Sequence, residues 1–218
     1  MQYLNLKEKY RAWLQEHGDT PQGVGWTKPE EAPVRYRVMM EVIREWPASI
    51  LDFGCGTAAL LDHIKALGLT AVDYYGLDIL PEAIEMARTK HPEAKLFCAD
   101  ILKDDAVLDS CPVDYVTING VLTYKYTSSF DDMWGFAQAI ISRLFKKARK
   151  GLAANFMSKA VDWERDDLFH MPVELIANFV TRNLTKYYVI RHDYKRYEYT
   201  LYLYHEPGGS EESHSGSP

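Results

Sequence analysis

"ILDFGCGTAALLDHI", residues 50–64, joins an apolar run to a helical pattern through two glycines that stand one residue apart. A strand that ends at glycine and continues as a helix places N–H groups and the positive end of a helix dipole beside a ligand. Gly54, Gly56 and Ala59 also match the G-x-G-x-x-A spacing of a dinucleotide-binding turn. The same spacing fits a tight turn that binds nothing, so the first question is what this turn holds.

The composition is that of one large domain with a sizeable apolar core. The chain has 218 residues, of which 47% are hydrophobic and 26% are charged. No apolar run reaches the length of a membrane span, and the N-terminal residues are charged throughout, so we expect neither a membrane segment nor export. Cys55, Cys98 and Cys111 match no metal or disulfide spacing. We therefore expect reduced thiols, no metal site and a cytoplasmic location.

The charge distribution gives no sign of a nucleic-acid partner. The formal net charge is −6, and a nucleic-acid binder usually carries a basic surplus. The densest basic run, "KKARKG" at 146–151, is typical of the cationic end of a helix that glycine closes, although a phosphate-binding patch stays open as the alternative. Residues 206–218 are acidic and rich in Gly and Ser, which predicts a disordered tail.

Short apolar runs alternate with helical patterns along most of the chain. We predict helices over about 58–67, 80–91, 129–149 and 172–184, and seven strands between and around them. The predicted strands are 49–53, 74–78, 94–99, 113–118, 151–157, 187–192 and 198–204. This alternation indicates an α/β fold, a Rossmann-like doubly wound sheet with helices on both faces. The connection before the last strand is too short for a parallel crossover, so that strand is expected to be antiparallel.

Acidic residues follow the second and third predicted strands. Asp78 stands 24 residues after Gly54, where a carboxylate can accept the ribose hydroxyls of an adenosine, and Asp100 is placed to meet an adenine amino group. Asp78 can equally be a helix N-cap, because Pro81 follows it. Since the carboxyl ends of parallel strands share one edge of the sheet, the three strand ends together predict a nucleoside pocket.

Asp52 discriminates between ligands because it comes two residues before Gly54. A carboxylate there would face the phosphates of a dinucleotide, whereas it suits a cationic ligand with an ammonium and a sulfonium group. In this light "LDFGCGTA" resembles the first motif of the class I S-adenosylmethionine-dependent methyltransferases, with Ala58 in place of a third glycine. The resemblance covers about residues 48–205, the expected methyltransferase domain. Within that family, the chain more loosely resembles a bacterial subgroup of small-molecule methyltransferases.

The resemblance implies S-adenosylmethionine as cofactor and assigns a part of it to each strand end. Asp52, Gly54 and Gly56 would hold the methionine part and Asp78 the ribose. The adenine would be flanked by Asp100 and Ile101, and the segment from Asn119 would line the reacting centre. The neighbouring Cys55, Ile79 and Gly120 complete this set.

Residues 1–47 are expected to form a helical segment that covers the cofactor site. Trp26 could offer its ring face to a sulfonium, and Arg37 could clamp a carboxylate. An exposed aromatic and a solvated helix charge explain these two residues equally well.

Methyl transfer to a hydroxyl benefits from a general base, for which the strand directions offer His192 and Asp162. His192 can also be a structural histidine. The sequence thus predicts methyl transfer to a hydroxyl, or as second choice an amine, of a small polar metabolite such as a sugar or a secondary metabolite. The partner would be this small-molecule acceptor, and the chain a monomer or homodimer. The rival hypotheses are an NAD(P)-dependent reductase and a methyltransferase-like binding protein without turnover.

Overall fold

A computed structural model describes residues 3–24 and 28–208 of the chain. Within these ranges the chain forms eight strands. They are β1 (Ala48–Phe53), β2 (Val72–Asp78), β3 (Lys95–Cys98), β4 (Tyr115–Ile118), β5 (Gly151–Ser158), β6 (His170–Met171), β7 (Tyr188–Arg191) and β8 (Glu198–Tyr204). They make one sheet in the order β3-β2-β1-β4-β5-β8-β7, and β6 pairs with the end of β5.

The sheet confirms the predicted Rossmann-like fold. β1 to β5 pair in parallel, and β8 inserts antiparallel between β5 and β7. The seven predicted strands are all present, and β6 is an addition. This strand has two residues, too few to leave a periodic pattern in the sequence.

Six α-helices and three short 3-10 helices lie in the described ranges. The α-helices are α1 (Tyr3–His17), α2 (Ala32–Met40), α3 (Ala59–Ala66), α4 (Pro81–Lys90), α5 (Phe130–Lys147) and α6 (Val173–Asn183). The 3-10 helices are Pro21–Val24, Pro29–Glu31 and Ala106–Ser110. None of the described helices has both the length and the apolar character needed to cross a membrane.

The helices cover both faces of the sheet because alternate residues of the central strands point to opposite sides. In β1, Ile50 packs into a core with residues of α2, α3 and α4. Leu51 packs into the opposite core, which α5 and α6 close. Ile50 and Leu51 are both fully buried. This two-sided burial explains why β1 is mostly apolar, with Ser49 and Asp52 as its two polar residues.

α1 contacts the start of α4 through apolar residues. Leu14 of α1 forms a small apolar cluster with Leu80 and Ala83. Beside it, Nε of Arg11 lies 2.8 Å from Oε1 of Glu82. These contacts hold α1 over the region where β2 ends and α4 begins.

Candidate functional site

A cleft, called here the first cleft, opens where β1, β2, β3 and β4 end. Ten of the twelve residues predicted to bind a cofactor lie in the described part of the chain and line it. They are Asp52, Gly54, Cys55, Gly56, Asp78, Ile79, Asp100, Ile101, Asn119 and Gly120. α1 closes the cleft with Leu6, Lys7, Tyr10 and Leu14, four residues that the sequence pattern did not single out.

The glycine turn after β1 needs a backbone that few side chains tolerate. Gly54 and Gly56 have φ values of 76° and 53°, in the left-handed region that favours glycine. A Cβ at Gly54 would also lie 2.2 Å from Cγ2 of Val121. Ala58, which stands where the resembled motif has a third glycine, adopts a φ of 63° as well, a conformation that glycine adopts more readily.

The N–H groups of this turn are used within the protein. Gly54 and Cys55 donate to the carbonyl oxygen of Leu77, at 2.7 and 3.2 Å. Gly56 donates to Oδ2 of Asp78, at 2.8 Å. The turn is thus shaped and braced, but these three donors do not form the open cradle that a pyrophosphate requires.

Asp52 is a buried carboxylate at the floor of the first cleft. Its Oδ2 accepts a hydrogen bond from the Tyr74 hydroxyl at 2.9 Å, and its Oδ1 accepts one from the Thr117 hydroxyl at 3.1 Å. Burial raises the pKa of Asp52 to about 6, although both hydrogen bonds oppose this shift. A nearby cation would favour the ionised form and lower this pKa.

Asp78 lies at the end of β2 and braces both neighbouring segments. Its Oδ1 accepts from the N–H of Leu80 at 2.8 Å, but Leu80 itself is the N-cap residue of α4, so the alternative that Asp78 is the N-cap is wrong. Its Oδ2 braces Gly56, and the residue lines the first cleft. Burial raises the pKa of Asp78 above its usual range. One carboxylate therefore ties the glycine turn to the next helix while facing the cleft.

The first cleft is rich in hydrogen-bond acceptors. Besides Asp52 and Asp78 it contains Asp100, and the amide oxygen of Asn119 is buried without a hydrogen-bond partner among the described residues. Lys7 is the one basic side chain among the described residues that line it. A buried acceptor without a donor is costly unless a ligand supplies that donor. This set fits a ligand with a cationic group and hydroxyls.

The structure does not bring Arg37 to either cleft. Arg37 is exposed, whereas Tyr36 lines the first cleft and Arg35 lines a second one. Successive residues on a helix point about 100° apart, so a sequence without a known helix phase does not reveal which of the three faces inward. Trp26 lies outside the described residues.

The second cleft adjoins the first and shares Gly120 with it. It lies over the carboxyl ends of β4 and β5 and the start of β8. Three of its residues form a hydrogen-bonded network with Gly120. The N–H of Gly120 donates to Oδ1 of Asn155 at 2.8 Å, and Nδ2 of Asn155 donates to Oε2 of Glu198 at 3.2 Å. Nε of Arg35 donates to Oε1 of Glu198 at 2.7 Å.

Glu198 is the buried acid of the second cleft, with 2% of its surface exposed. Burial raises the pKa of Glu198, and the Arg35 guanidinium offsets this only in part. Sequence reasoning missed both Glu198 and Asn155. The available signal was an asparagine inside the otherwise apolar strand "GLAANFM", since a buried amide implies a hydrogen-bonding partner.

The two predicted bases have different surroundings. Asp162 is exposed and lines the second cleft. His192 is exposed and lines neither cleft. Its ring packs edge-on against the Tyr199 ring, with 6.1 Å between the two ring centroids. It follows β7, an edge strand of the sheet, and the second cleft is lined by later residues of the same β7–β8 connection, from Lys195 onward.

His170 lines the second cleft but has no free nitrogen. Its Nδ1 lies 2.7 Å from the carbonyl oxygen of Ser158, and its Nε2 accepts from the N–H of Arg165 at 3.1 Å. It is therefore a structural histidine that holds β6 against the loop before it. Among the described residues, no group of three or more His, Cys, Asp and Glu side chains could hold a metal ion.

Comparison with known sequences finds a family model that matches part of the chain, and a relative. A family model described as a methyltransferase domain matches residues 51–148, which include the glycine turn, Asp78, Asp100 and Gly120. Rv1506c of Mycobacterium tuberculosis, named provisionally as a methyltransferase, is 29% identical over 160 residues. The match covers 71% of this chain and 92% of that protein.

Comparison with solved structures shows the same fold. Human N-acetylserotonin methyltransferase, in complex with S-adenosylmethionine, superposes with a TM-score of 0.64 at 12% identity. The match covers 95% of this chain but 63% of the human one, so this chain spans less than two thirds of that enzyme. CalS10 of Micromonospora echinaspora, an S-adenosylmethionine-bound amino pentose methyltransferase, gives a TM-score of 0.55 at 14% identity. That match covers 90% of this chain and 96% of CalS10.

Proposed function

We propose that this chain, which is a class I S-adenosylmethionine-dependent methyltransferase, methylates a hydroxyl group of a small polar metabolite that binds in the second cleft. The observation that carries the proposal is the junction of the two clefts at Gly120. A methyl donor in the first cleft and an acceptor in the second would meet there. Such alignment of reactants is the main contribution that a protein makes to this kind of transfer.

The residues of the first cleft fit the cofactor by their chemistry. Asp52 and the unpaired amide oxygen of Asn119 would hold the ammonium of the methionine part. Asp78 would accept the ribose hydroxyls, and Asp100 with Ile101 would flank the adenine. When bound, S-adenosylmethionine supplies a methyl group already activated by a sulfonium. This chain's own residues then orient the acceptor, exclude water and accept a proton.

The rival hypothesis of an NAD(P)-dependent reductase fits the first cleft poorly. A pyrophosphate would face the carboxylates of Asp52 and Asp78. It would also find the N–H groups of Gly54, Cys55 and Gly56 already bonded within the protein. Both features favour a cation over a diphosphate in this position.

A hydroxyl acceptor has to lose its proton, and we place Glu198 in that role. Glu198 lines the second cleft, and its buried network reaches Gly120 through Asn155. Its raised pKa makes it a better proton acceptor than an ordinary carboxylate. Asp162, on the same cleft, is the second candidate, and His192 becomes the least favoured of the three because it lies outside the cleft.

The small-molecule acceptor is supported by two structural relatives. CalS10 acts on an amino pentose in calicheamicin biosynthesis, and the human enzyme acts on N-acetylserotonin. Both acceptors are small. A sugar or a secondary metabolite therefore remains the acceptor class that we propose for this chain.

The proposal is tested by release of S-adenosylhomocysteine in the presence of a panel of sugars, nucleotide sugars and phenols. We expect turnover with at least one class, and Glu198→Gln should lower kcat by about 100-fold or more. His192→Asn is the control, in the connection that leads to Glu198, and should leave kcat within about twofold because His192 lines neither cleft. Turnover that survives in Glu198→Gln would remove Glu198 from the mechanism. Cofactor binding without turnover on any acceptor would favour the binding-protein hypothesis instead.

A further inference from the structure

We infer that the acceptor carries an anionic group, a carboxylate or a phosphate, and that Lys195 and Arg196 bind it at the second cleft. This inference rests on the proposed function of that cleft as the acceptor site. It narrows the acceptor from a small polar molecule to a small acid.

The charges that line the second cleft are unbalanced. Among the described residues, five basic and three acidic side chains line it. The basic ones are Lys28, Arg35, Arg165, Lys195 and Arg196, and the acidic ones are Glu31, Asp162 and Glu198. Because the overall chain is acidic, with a net charge of −6, a basic surplus here runs against the composition.

Four of the five basic side chains lie within 4.0 Å of a carboxylate, and two of these, Arg35 and Arg165, are held by hydrogen bonds to it. Arg35 binds Glu198 at 2.7 Å and Glu31 at 3.2 Å. Arg165 donates two hydrogen bonds to the Asp167 carboxylate, from Nε to Oδ1 at 3.0 Å and from Nη2 to Oδ2 at 2.6 Å. The charges of these two arginines are therefore already neutralised by carboxylates, and we assign them a structural role in the lining of the cleft.

Lys195 and Arg196 keep most of their donors for a ligand. Nε of Arg196 lies 3.5 Å from Oε2 of Glu31, an ion-pair separation without a hydrogen bond, and its Nη1 donates to the carbonyl oxygen of Lys195. The Lys195 ammonium has no carboxylate within 4.0 Å in the described part of the chain. Glu31 is shared with Lys28 at 3.7 Å and with Arg35, so it does not neutralise Arg196 alone.

The backbone of the β7–β8 connection presents this pair. Lys195 has a φ of 56°, in the left-handed region, and so stands in a conformation that glycine or asparagine adopts more readily. A strained position is often retained where the side chain has a function. Two exposed aromatic side chains also line the cleft, Trp163 with 66% and Tyr197 with 69% of its surface accessible. Flat exposed rings of this kind suit an acceptor with a planar body.

The test is a titration of the protein saturated with S-adenosylhomocysteine, in which binding is measured without turnover. The probes are benzoate, phenyl phosphate, the neutral benzamide and the cationic benzylamine. We expect the better of the two anions to bind about tenfold or more tightly than benzamide, as one charge-assisted hydrogen bond would give. The ratio of benzoate to phenyl phosphate then distinguishes a carboxylate site from a phosphate site.

Substitutions test whether Lys195 and Arg196 are responsible for the preference for anions. Lys195→Asn combined with Arg196→Gln should weaken anion binding by about tenfold or more and leave benzamide unchanged. Asparagine suits the left-handed backbone, so this change preserves the turn. Lys186→Gln is the matched control, an exposed lysine at the opposite end of β7, and should change nothing.

Three results would overturn the inference: equal binding of anions and benzamide, tighter binding of benzylamine, or anion affinity that the double variant does not alter. Absence of binding by every probe counts against it in the same way. Failure of the proposed function is a separate outcome. It would show as anion binding that depends on Lys195 and Arg196 in a protein that methylates no hydroxyl acceptor.

Discussion

At the scale of single residues, Asp52 has the most direct link to ligand chemistry. Its pKa of about 6 means that the carboxylate ionises within the physiological range. Ammonium binding requires the ionised form, so acidification should weaken it. We predict that S-adenosylhomocysteine affinity falls as pH drops below about 6, by up to tenfold per pH unit.

Calorimetric titration between about pH 5 and pH 8 measures this dependence directly. Asp52→Asn provides the control, because it keeps the shape of the side chain without its titration. The variant should bind more weakly at neutral pH and lose most of the pH dependence. An unchanged profile in Asp52→Asn would assign the effect to another group, of which Asp78 is the nearest candidate.

Asp52 also makes a prediction about stability. A carboxyl with a pKa raised on folding stabilises the protein below its unfolded pKa, and this contribution is lost as pH rises through the folded value. Between about pH 5 and pH 7, wild type should therefore lose about 1 kcal/mol relative to Asp52→Asn. Urea unfolding of both proteins at the two pH values measures the difference. A gain for wild type in this interval would contradict the raised pKa.

Substitution of Gly54 tests the glycine turn after β1, and substitution of Gly135 in α5 is its control. Gly54→Ala places a Cβ 2.2 Å from Val121 and strains a φ of 76°, so we expect a loss of about 1–3 kcal/mol and greatly weakened cofactor binding. Gly135 is exposed within α5 and has open space around it. Gly135→Ala should therefore stabilise the protein by about 0.5–1 kcal/mol without altering binding. Denaturant unfolding and calorimetry compare the two.

At the scale of elements, α1 is the helix whose role depends on the ligand. It contributes Leu6, Lys7, Tyr10 and Leu14 to the first cleft, and the Tyr10 hydroxyl donates to the carbonyl oxygen of Gly120 at 3.2 Å. We propose that residues 1–47 cover the bound cofactor, as the sequence suggested. Hydrogen exchange should then slow in α1 when S-adenosylhomocysteine binds. Exchange in α1 that is unaffected by the ligand would show that the helix is only a structural attachment.

The strands and their ends were predictable because they depend on local pattern. Gly54, Asp78 and Asp100 each follow an apolar run, and parallel topology alone brings such ends together. The network of the second cleft was not predictable in this way. Arg35 and Glu198 are separated by 163 positions, and their contact arises only from the packing of α2 beside β8. The same packing turns Arg35 inward and leaves Arg37 exposed.

At the scale of the whole molecule, the two clefts divide the chemistry by charge. The first is rich in carboxylates and suits a cation with hydroxyls, whereas the second carries a basic surplus. They meet at Gly120, whose N–H is fixed by Asn155. This division follows from tertiary structure, since neither the overall composition nor any short motif separates the two groups of charges.

We propose that S-adenosylmethionine binds in the first cleft. Thermal unfolding with S-adenosylmethionine, S-adenosylhomocysteine, NADH and NADPH added separately tests this assignment. A ligand at about 100 times its dissociation constant adds roughly 2.7 kcal/mol, or about 5–10 °C for a domain of this size. We predict this shift with the two sulfur compounds and none with the nicotinamide cofactors. A shift with NADH or NADPH alone would contradict the assignment of this cleft to S-adenosylmethionine.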